Sequence, residues 1–279
     1  MRLLTLARGL TRRKARERQG LFVAEGVRAV EAALAARVTV RGVLVAPALQ
    51  TTARGVALRT ALDARGVDLL DVDDATFASA ADTDTPQGVL LVAERPATSD
   101  GAAALDALAR GAAAADAGRE FRLLVLDAVQ DPGNVGTLVR AAAALGVAGV
   151  VALPGTGDLW SAKVVRAGMG AHFALPVAHA SLAALGAMLA DADVALWGAD
   201  GAGTPVDAAA DGAPPRLALA VGNEGAGLGD AVRARAATLV GVPSSGAVES
   251  LNAAVAGSIL LYALRPTPLR SPAAAAPRS

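Results

Sequence analysis

The sequence predicts an α/β protein built as two successive units, on three observations. Short β-branched or leucine-rich runs alternate with helical stretches, the runs are almost continuously apolar, and an alanine-, glycine- and aspartate-rich stretch divides the series in two. Apolar strands alternating with helices imply a parallel sheet covered on both faces, and 279 residues suffice for about two domains.

In the first unit, Leu21 to Ala24 reads as a strand, Val27 to Ala36 as a helix, Val40 to Ala46 as a strand and Arg54 to Ala64 as a helix. Val67 to Val72 is a further strand, Asp73 or Asp74 caps a short helix reaching Ala81, and Val89 to Glu94 is the last strand. Residues 1–96 form this unit. Residues 97–119 contain AAALDALARGAAAADAG, with weak periodicity, and read as a partly helical linker. The second unit, 120–265, opens with a strand at Arg122 to Val129, the turn-rich QDPGN, and a helix from about Val135 to Leu145. It continues with a strand at Val147 to Leu153, a helix near Ser161 to Met169, a strand at Phe173 to Val177 and a helix at Ser181 to Ala190. Strands at Val194 to Ala199, Leu217 to Val221 and Thr238 to Val242 precede a closing helix, Leu251 to Leu264, and residues 266–279 are expected to be a disordered tail.

Composition narrows the function. Hydrophobic residues make up 53% and charged residues 19%, as in a folded chain. The longest stretches free of Asp, Glu, Lys, Arg and His, Ala141 to Gly157 and Ser250 to Leu264, fall short of the ~20 apolar residues a membrane span needs. The apolar piece Leu3 to Ala7 is too short for a secretory core, so a cytoplasmic location is expected. With zero cysteines, thiolate chemistry and Cys-based metal sites are excluded, and the i, i+7 pair His172 and His179 is poor metal spacing; no metal is expected. The net charge of zero hides a split. Residues 1–30 carry eight basic residues against Glu17 and Glu25, a local excess of +6 that suits phosphates. It also suits a solvated first helix.

In an open α/β sheet, ligands bind beyond the carboxyl ends of the strands. Three such ends are rich in glycine and polar residues: DPGNVGTLVR (131–140), GNEGAGLG (222–229) and VPSSGAVESLN (242–252). Each alone also fits a plain turn, a glycine loop or a helix cap; Asn134 or Ser250 would then be the cap. Neither a GxxxxGK[ST] loop, a GxGxxG spacing nor a GxSxG elbow is present, which excludes a P-loop and leaves a dinucleotide site only a weak reading.

Together and in order, LDAVQDPGNVGTLVRAAAALGV from Leu126, ALAVGNEGAGL from Ala218 and VPSSGAVESLNAAVAGSILL from Val242 resemble the three motifs of the SpoU (TrmH) family of RNA ribose 2′-O-methyltransferases, in the SPOUT superfamily. WSAKVVRAGMGAHFALPV (160–177) resembles the region between the first two motifs, with Gly168 where serine is usual. RRKARERQGLFVAEGVRAVEAAL (12–34) and TPQGVLLVAE (85–94) are similar to the L30e-like substrate-binding domain of such enzymes. The resemblance implies a trefoil-knotted catalytic domain that forms a homodimer and binds S-adenosyl-L-methionine. Threading rules alone would argue against a knot.

By this resemblance Asn134, Arg140, Glu224, Ser250 and Asn252 are the catalytic positions, and Gly222, Val242 and Leu251 hold the cofactor. Glycine at Gly222 and Gly246 would let backbone approach the adenosine. Arginine is a poor base, so Arg140 is expected to clamp a target phosphate and stabilise developing alkoxide, with the hydroxyl proton passing either to that phosphate or to the arginine. Asn134 and Arg140 are six apart, about 240° around a helix, so Asn134 is expected just before the helix; Glu224, Ser250 and Asn252 would orient Arg140 or the RNA. Arg12, Arg13, Lys14, Arg16 and Arg18 form the expected RNA grip. Ribosomal RNA is the favoured substrate; transfer RNA methylation and a non-catalytic RNA-binding or ribosome-assembly role are the alternatives, the latter disfavoured by retention of all five catalytic positions.

Overall fold

The computed structural model describes residues 2–99, 101–115, 120–248 and 250–266. The tail expected at 266–279 lies outside the described residues apart from Pro266. The first unit opens with two helices, α1 (Arg2–Gly9) and α2 (Arg13–Gln19), followed by β1 (Leu21–Glu25), α3 (Val27–Ala35), β2 (Val40–Val45), α4 (Ala53–Ala64), β3 (Leu69–Asp71), α5 (Asp74–Ala78) and β4 (Val89–Glu94). Its sheet runs β1-β4-β2-β3 and is mixed, because β4 inserts antiparallel between β1 and β2 while β3 lies parallel to β2. Asp73 caps α5 by accepting from the Thr76 amide.

The second unit contains α6 (Gly101–Ala113), β5 (Phe121–Leu126), α7 (Pro132–Ala144), β6 (Val150–Ala152), α8 (Ala162–Ala167), β7 (Val177–His179), α9 (Leu182–Asp191), β8 (Ala195–Pro205), α10 (Val206–Ala209), β9 (Arg216–Val221), α11 (Asp230–Arg233), β10 (Thr238–Gly241) and α12 (Ala253–Ala263). Its sheet, β10-β8-β9-β5-β6-β7, is parallel throughout.

Three expectations are corrected. The stretch read as a linker forms α6, whose Ala104, Leu105, Leu108 and Ala112 are buried, the last three in the same apolar cluster as β5 and α9. Alanine and leucine give that helix an apolar stripe despite its low complexity, so it packs as a layer of the second unit. The strand expected at Phe173 to Val177 is a 3-10 turn over Ala171–Phe173, and the ladder starts only at Val177. Pro176 has no amide to donate, but its carbonyl accepts from Val150 at 2.9 Å and begins the pairing. Finally, α7 begins at Pro132, not near Val135, because Asp131 caps it and proline suits the first helical position.

The two units meet in a packed joint. Phe22 of β1 lies 5.0 Å from the Trp160 ring and 5.5 Å from that of Phe173, and Trp160 meets His172 edge-on at 5.4 Å. Phe22 is fully buried, which is worth about 1.5–3 kcal/mol. Beside it Arg16 is only 5% exposed; Nε and Nη2 donate to the Asp158 carboxylate, and Nη1 donates to the Leu10 and Thr11 carbonyls. No described helix is long and apolar enough to cross a membrane.

Candidate active site at the carboxyl ends of the parallel strands

The chain leaves β5 into a loop, 127–131, that is tied down at both ends. Asp127 Oδ2 accepts from the Gly229 amide at 2.7 Å, and Asp131 accepts from the Asn134 amide at 2.8 Å. Asn134 is therefore inside α7, in its first turn, which corrects its expected place before the helix. Its side chain faces two neighbours: Nδ2 donates to Glu224 Oε1 at 3.0 Å, and Oδ1 accepts from Asn252 Nδ2 at 3.0 Å. Asn252 in turn caps α12, its Oδ1 accepting from the Ala254 and Val255 amides. Asn134, Glu224 and Asn252, each from a different one of the three motifs, thus form one hydrogen-bonded chain.

Glu224 is the hub. Its oxygens also accept from the Gln130 amide at 3.2 Å and the Asp131 amide at 3.0 Å. Burial alone would raise this carboxyl, but donation from the Asn134 side chain and the backbone amides outweighs it and holds the group below the usual carboxylate range. Glu224 is therefore ionised at neutral pH, an acceptor and orienter, not a proton donor.

Arg140 stands apart. With Asn134 helical, the angular argument puts the two on different faces of α7; Arg140 is exposed and has no hydrogen bond or ion pair among the described residues. Within one copy neither Glu224 nor Asn252 bonds it: their polar atoms meet backbone amides and Asn134. Ser250 is likewise exposed and unpartnered among the described residues.

A cavity of about 400 Å³ opens beside this chain, and Gly222, Val242 and Leu251 line it together with Glu224 and Ser250. Gly222 is also required by the packing of its own loop. A Cβ there would lie 2.2 Å from the Gly227 carbonyl carbon, so the space is filled by the loop's own backbone. That loop is folded by Asn223, which sequence reasoning missed: its Oδ1 accepts from the Gly225 and Ala226 amides at 3.0 Å, its Nδ2 donates to the Ala128 carbonyl, and its backbone pairs with Gly227. An asparagine opening a glycine-rich loop is the signal that could have found it. Gly246 does not line the cavity; its φ of +77° makes it a turn residue with open space where a side chain would project. Asp200, also missed, lines the cavity, but it accepts from the Ala202 amide and pairs with Arg233, which hold its carboxyl low. A separate cavity of about 500 Å³, lined by Ala115, Asp193, Pro215 and Arg216, sits at the opposite, amino ends of the strands, away from the end where open parallel sheets bind ligands.

The basic segment is only partly free. Arg12, Arg13, Lys14 and Arg18 are exposed, with Arg13 paired to Glu17 at 2.7 Å, but Arg16 is committed to Asp158 and is withdrawn from the expected RNA grip. His172 is a packing residue; burial pushes its pKa down to about 4, and Nε2 bonds the Leu159 carbonyl. It also explains Gly168, where a Cβ would sit 2.6 Å from the His172 ring.

A parallel sheet with a cavity and a polar chain at its carboxyl end is the place where an open α/β fold binds a ligand. Comparison with known proteins identifies the family. Residues 122–262 match the SpoU rRNA Methylase family, and residues 5–91 match an MRM3-like substrate binding domain. The chain is 32% identical over 260 residues, 91% of its length and 92% of the relative's, to the 23S rRNA (guanosine(2553)-2'-O)-methyltransferase RlmP of Bacillus subtilis. It superposes on an AdoMet-bound rRNA methyltransferase from Sinorhizobium meliloti with a TM-score of 0.75 at 28% identity, covering 94% of this chain and 93% of the other. The SpoU methyltransferase AviRb from Streptomyces viridochromogenes, solved with AdoMet, gives 0.76 at 26% identity, covering 94% and 96%. The chain belongs to the SpoU rRNA methylase family.

Proposed function

We propose that this chain transfers the methyl group of S-adenosylmethionine to the ribose 2′-hydroxyl of one nucleotide in 23S ribosomal RNA. The observation that carries this reading is the meeting of Asn134, Glu224 and Asn252 at the mouth of the cavity lined by Gly222, Val242 and Leu251. The cavity suits the cofactor: Val242 and Leu251 give apolar walls, and Gly222 presents main-chain groups. When bound, S-adenosylmethionine supplies an electrophilic sulfonium methyl. Pre-organised hydrogen bonds hold Asn134 and Glu224 in place, so positioning supplies much of the rate. Arg140, exposed and unpaired among the described residues, clamps a target phosphate and stabilises charge developing on the 2′-oxygen.

Because Arg140 and Asn134 face apart on α7, Arg140 serves the site of a second copy. The homodimer of this reading forms through the second unit. Val255, Ile259 and Tyr262 leave an exposed apolar stripe along α12, spaced on one helical face. In the same reading residues 1–96 are the L30e-like substrate-binding domain, residues 120–265 carry the trefoil knot, and the enzyme works in the cytoplasm on ribosomal RNA.

The test is transfer of labelled methyl to 23S rRNA from cells lacking the gene, followed by mapping of 2′-O-methyl positions. One new ribose methylation in 23S rRNA is expected. Methylation confined to transfer RNA, or none with cofactor bound, overturns the reading.

A further inference from the structure

A cavity of about 470 Å³ lies between the two units, sharing no residue with the one above. The first unit contributes Arg28 and Ala29 from the first turn of α3, Arg54 from α4, and Thr85 and Gln87 from the loop before β4; Arg166 and Met169 close it from the second unit. The walls are held together at Gly170, where a Cβ would come within 2.4 Å of the Ala32 methyl on α3.

Its chemistry is one-sided. Gln87 accepts from the Val27 amide through Oε1 at 2.9 Å, and its amide nitrogen has no partner among the described residues. The first turn of α3 has no side-chain cap, so the Arg28 and Ala29 amides are open donors. The Arg28 guanidinium is exposed and free of any acid among the described residues. Arg166 Nη1 is buried without a hydrogen bond, 3.7 Å from Glu25. The carboxylates nearby are occupied: Glu25 accepts from the Asp82 amide and the Thr83 hydroxyl, Asp82 lies 3.8 Å from Arg166 Nη2, and Glu31 holds Arg54, which leaves Arg28 as the lining arginine with no acid among the described residues. With Arg54 and Arg166 answered by those acids, the groups left open in the cleft are the Arg28 guanidinium, the Gln87 amide nitrogen and the α3 amides, all donors, which complements an acceptor-rich anion. Arg28 and Thr85 are exposed, so these lining groups are reachable from solvent. Its floor also leads to the methyl-transfer end. Helix α8, which carries Arg166, packs directly on α7, since a Cβ on Gly136 would lie 2.4 Å from the Ala167 methyl.

We infer that this inter-unit cleft grips a phosphodiester of the substrate RNA, at a nucleotide other than the one methylated. The inference rests on the RNA reading above, and Arg28 is its principal contact.

The probe is unmodified 23S rRNA transcribed in vitro, bound by the full chain over a series of KCl concentrations. Arg28→Gln is expected to lower affinity and to reduce the slope of log K against log salt by about 0.7–0.9, one phosphate contact, with cofactor affinity unchanged; Arg28→Lys restores the slope. Because the chain has no cysteine, Thr85→Cys accepts a single azidophenacyl group, which is expected to crosslink to the RNA, while Asp193→Cys at the far cavity does not. Inorganic phosphate at matched ionic strength is expected not to displace the RNA. An unchanged slope, no crosslink at Thr85→Cys, or displacement by phosphate alone overturns the cleft and leaves the proposed function standing. Wild-type protein that neither binds nor methylates RNA overturns both.

Discussion

The joint between the units and the carboxyl end of the parallel sheet both contain arginine and carboxylate, and use them in opposite ways. At the joint Arg16 is buried, and its guanidinium holds Asp158 and two carbonyls. At the site the carboxylate Glu224 is held by amides and Asn134, and Arg140 stands in solvent without a partner among the described residues. An arginine that fastens the fold must have its charge answered inside the chain, since a buried unpaired charge costs several kcal/mol. One that meets a substrate phosphate does better left to water until the phosphate arrives, and supporting the carboxylate with neutral donors keeps Glu224 ionised without tying up a cation.

The sharpest break of that contrast is Arg16→Met, which keeps the packing and strands Asp158. The expected loss is about 3–5 kcal/mol of stability, read as a lower urea midpoint. A change below about 1 kcal/mol, the range of exposed pairs, would mean that Asp158 is solvated and that the joint is held by the aromatic cluster alone. Arg140→Ala is the mirror experiment. It should leave the urea midpoint and cofactor affinity unchanged and remove roughly 2–4 kcal/mol of transition-state stabilisation in single-turnover methyl transfer. Arg140→Lys separates charge from two-point geometry: substantial retained activity means that charge suffices, and a loss as deep as alanine's means that the planar fork is required.

Titration distinguishes the regions again. His172 is neutral in the folded chain, its pKa pushed by burial to about 4, whereas the unfolded imidazole takes a proton near its ordinary value of ~6.5. Its contribution is complete above that value and declines as the pH falls toward the folded one, by up to about 3 kcal/mol. Asp158 acts lower on the scale. Burial would raise it, but Arg16 and the Trp160 amide outweigh that and lower it, so its stabilisation persists down to the unfolded value near ~3.9 and is lost below. Urea midpoints between pH 7.5 and 4.5 should therefore fall for the wild type and fall less steeply for His172→Gln, the remaining slope coming from His179, whose pKa burial and the nearby Arg13 also lower. Parallel slopes would place the proton uptake elsewhere.

Most strands and helices were legible because hydrophobic period is a local property; the parallel second sheet follows from it, and the antiparallel insertion of β4 does not. The start of α7 is displaced from its expected place because Asn134 is as good a cap by residue type as Asp131, and only the backbone shows that Asp131 takes it. The three site loops were legible as motifs, and the structure brings Asn134, Glu224 and Asn252 together. The packing reason for Gly222 was not legible, because it depends on Gly227 folding back onto it. Arg16 was misread because a charge cluster in sequence says nothing about which member points inward toward a partner 142 positions away.

That last misreading sets the smallest and most discriminating prediction. If the basic segment meets RNA, the exposed members Arg12, Arg13, Lys14 and Arg18 do so without Arg16. Neutralising each to glutamine should lower the slope of log K against log salt by about 0.7–0.9 for every phosphate that is no longer neutralised, with little change in stability or cofactor affinity. Arg13 is expected to show the least of the four, because its ion pair with Glu17 already answers part of its charge. Filter binding of 23S rRNA over a KCl series checks this, with Arg16→Met as the internal reference: its salt slope should match the wild type at temperatures where it remains folded. An Arg16→Met slope that falls as far as that of Lys14→Gln would show that the buried arginine reaches RNA after all, and the separation between joint and grip would then collapse.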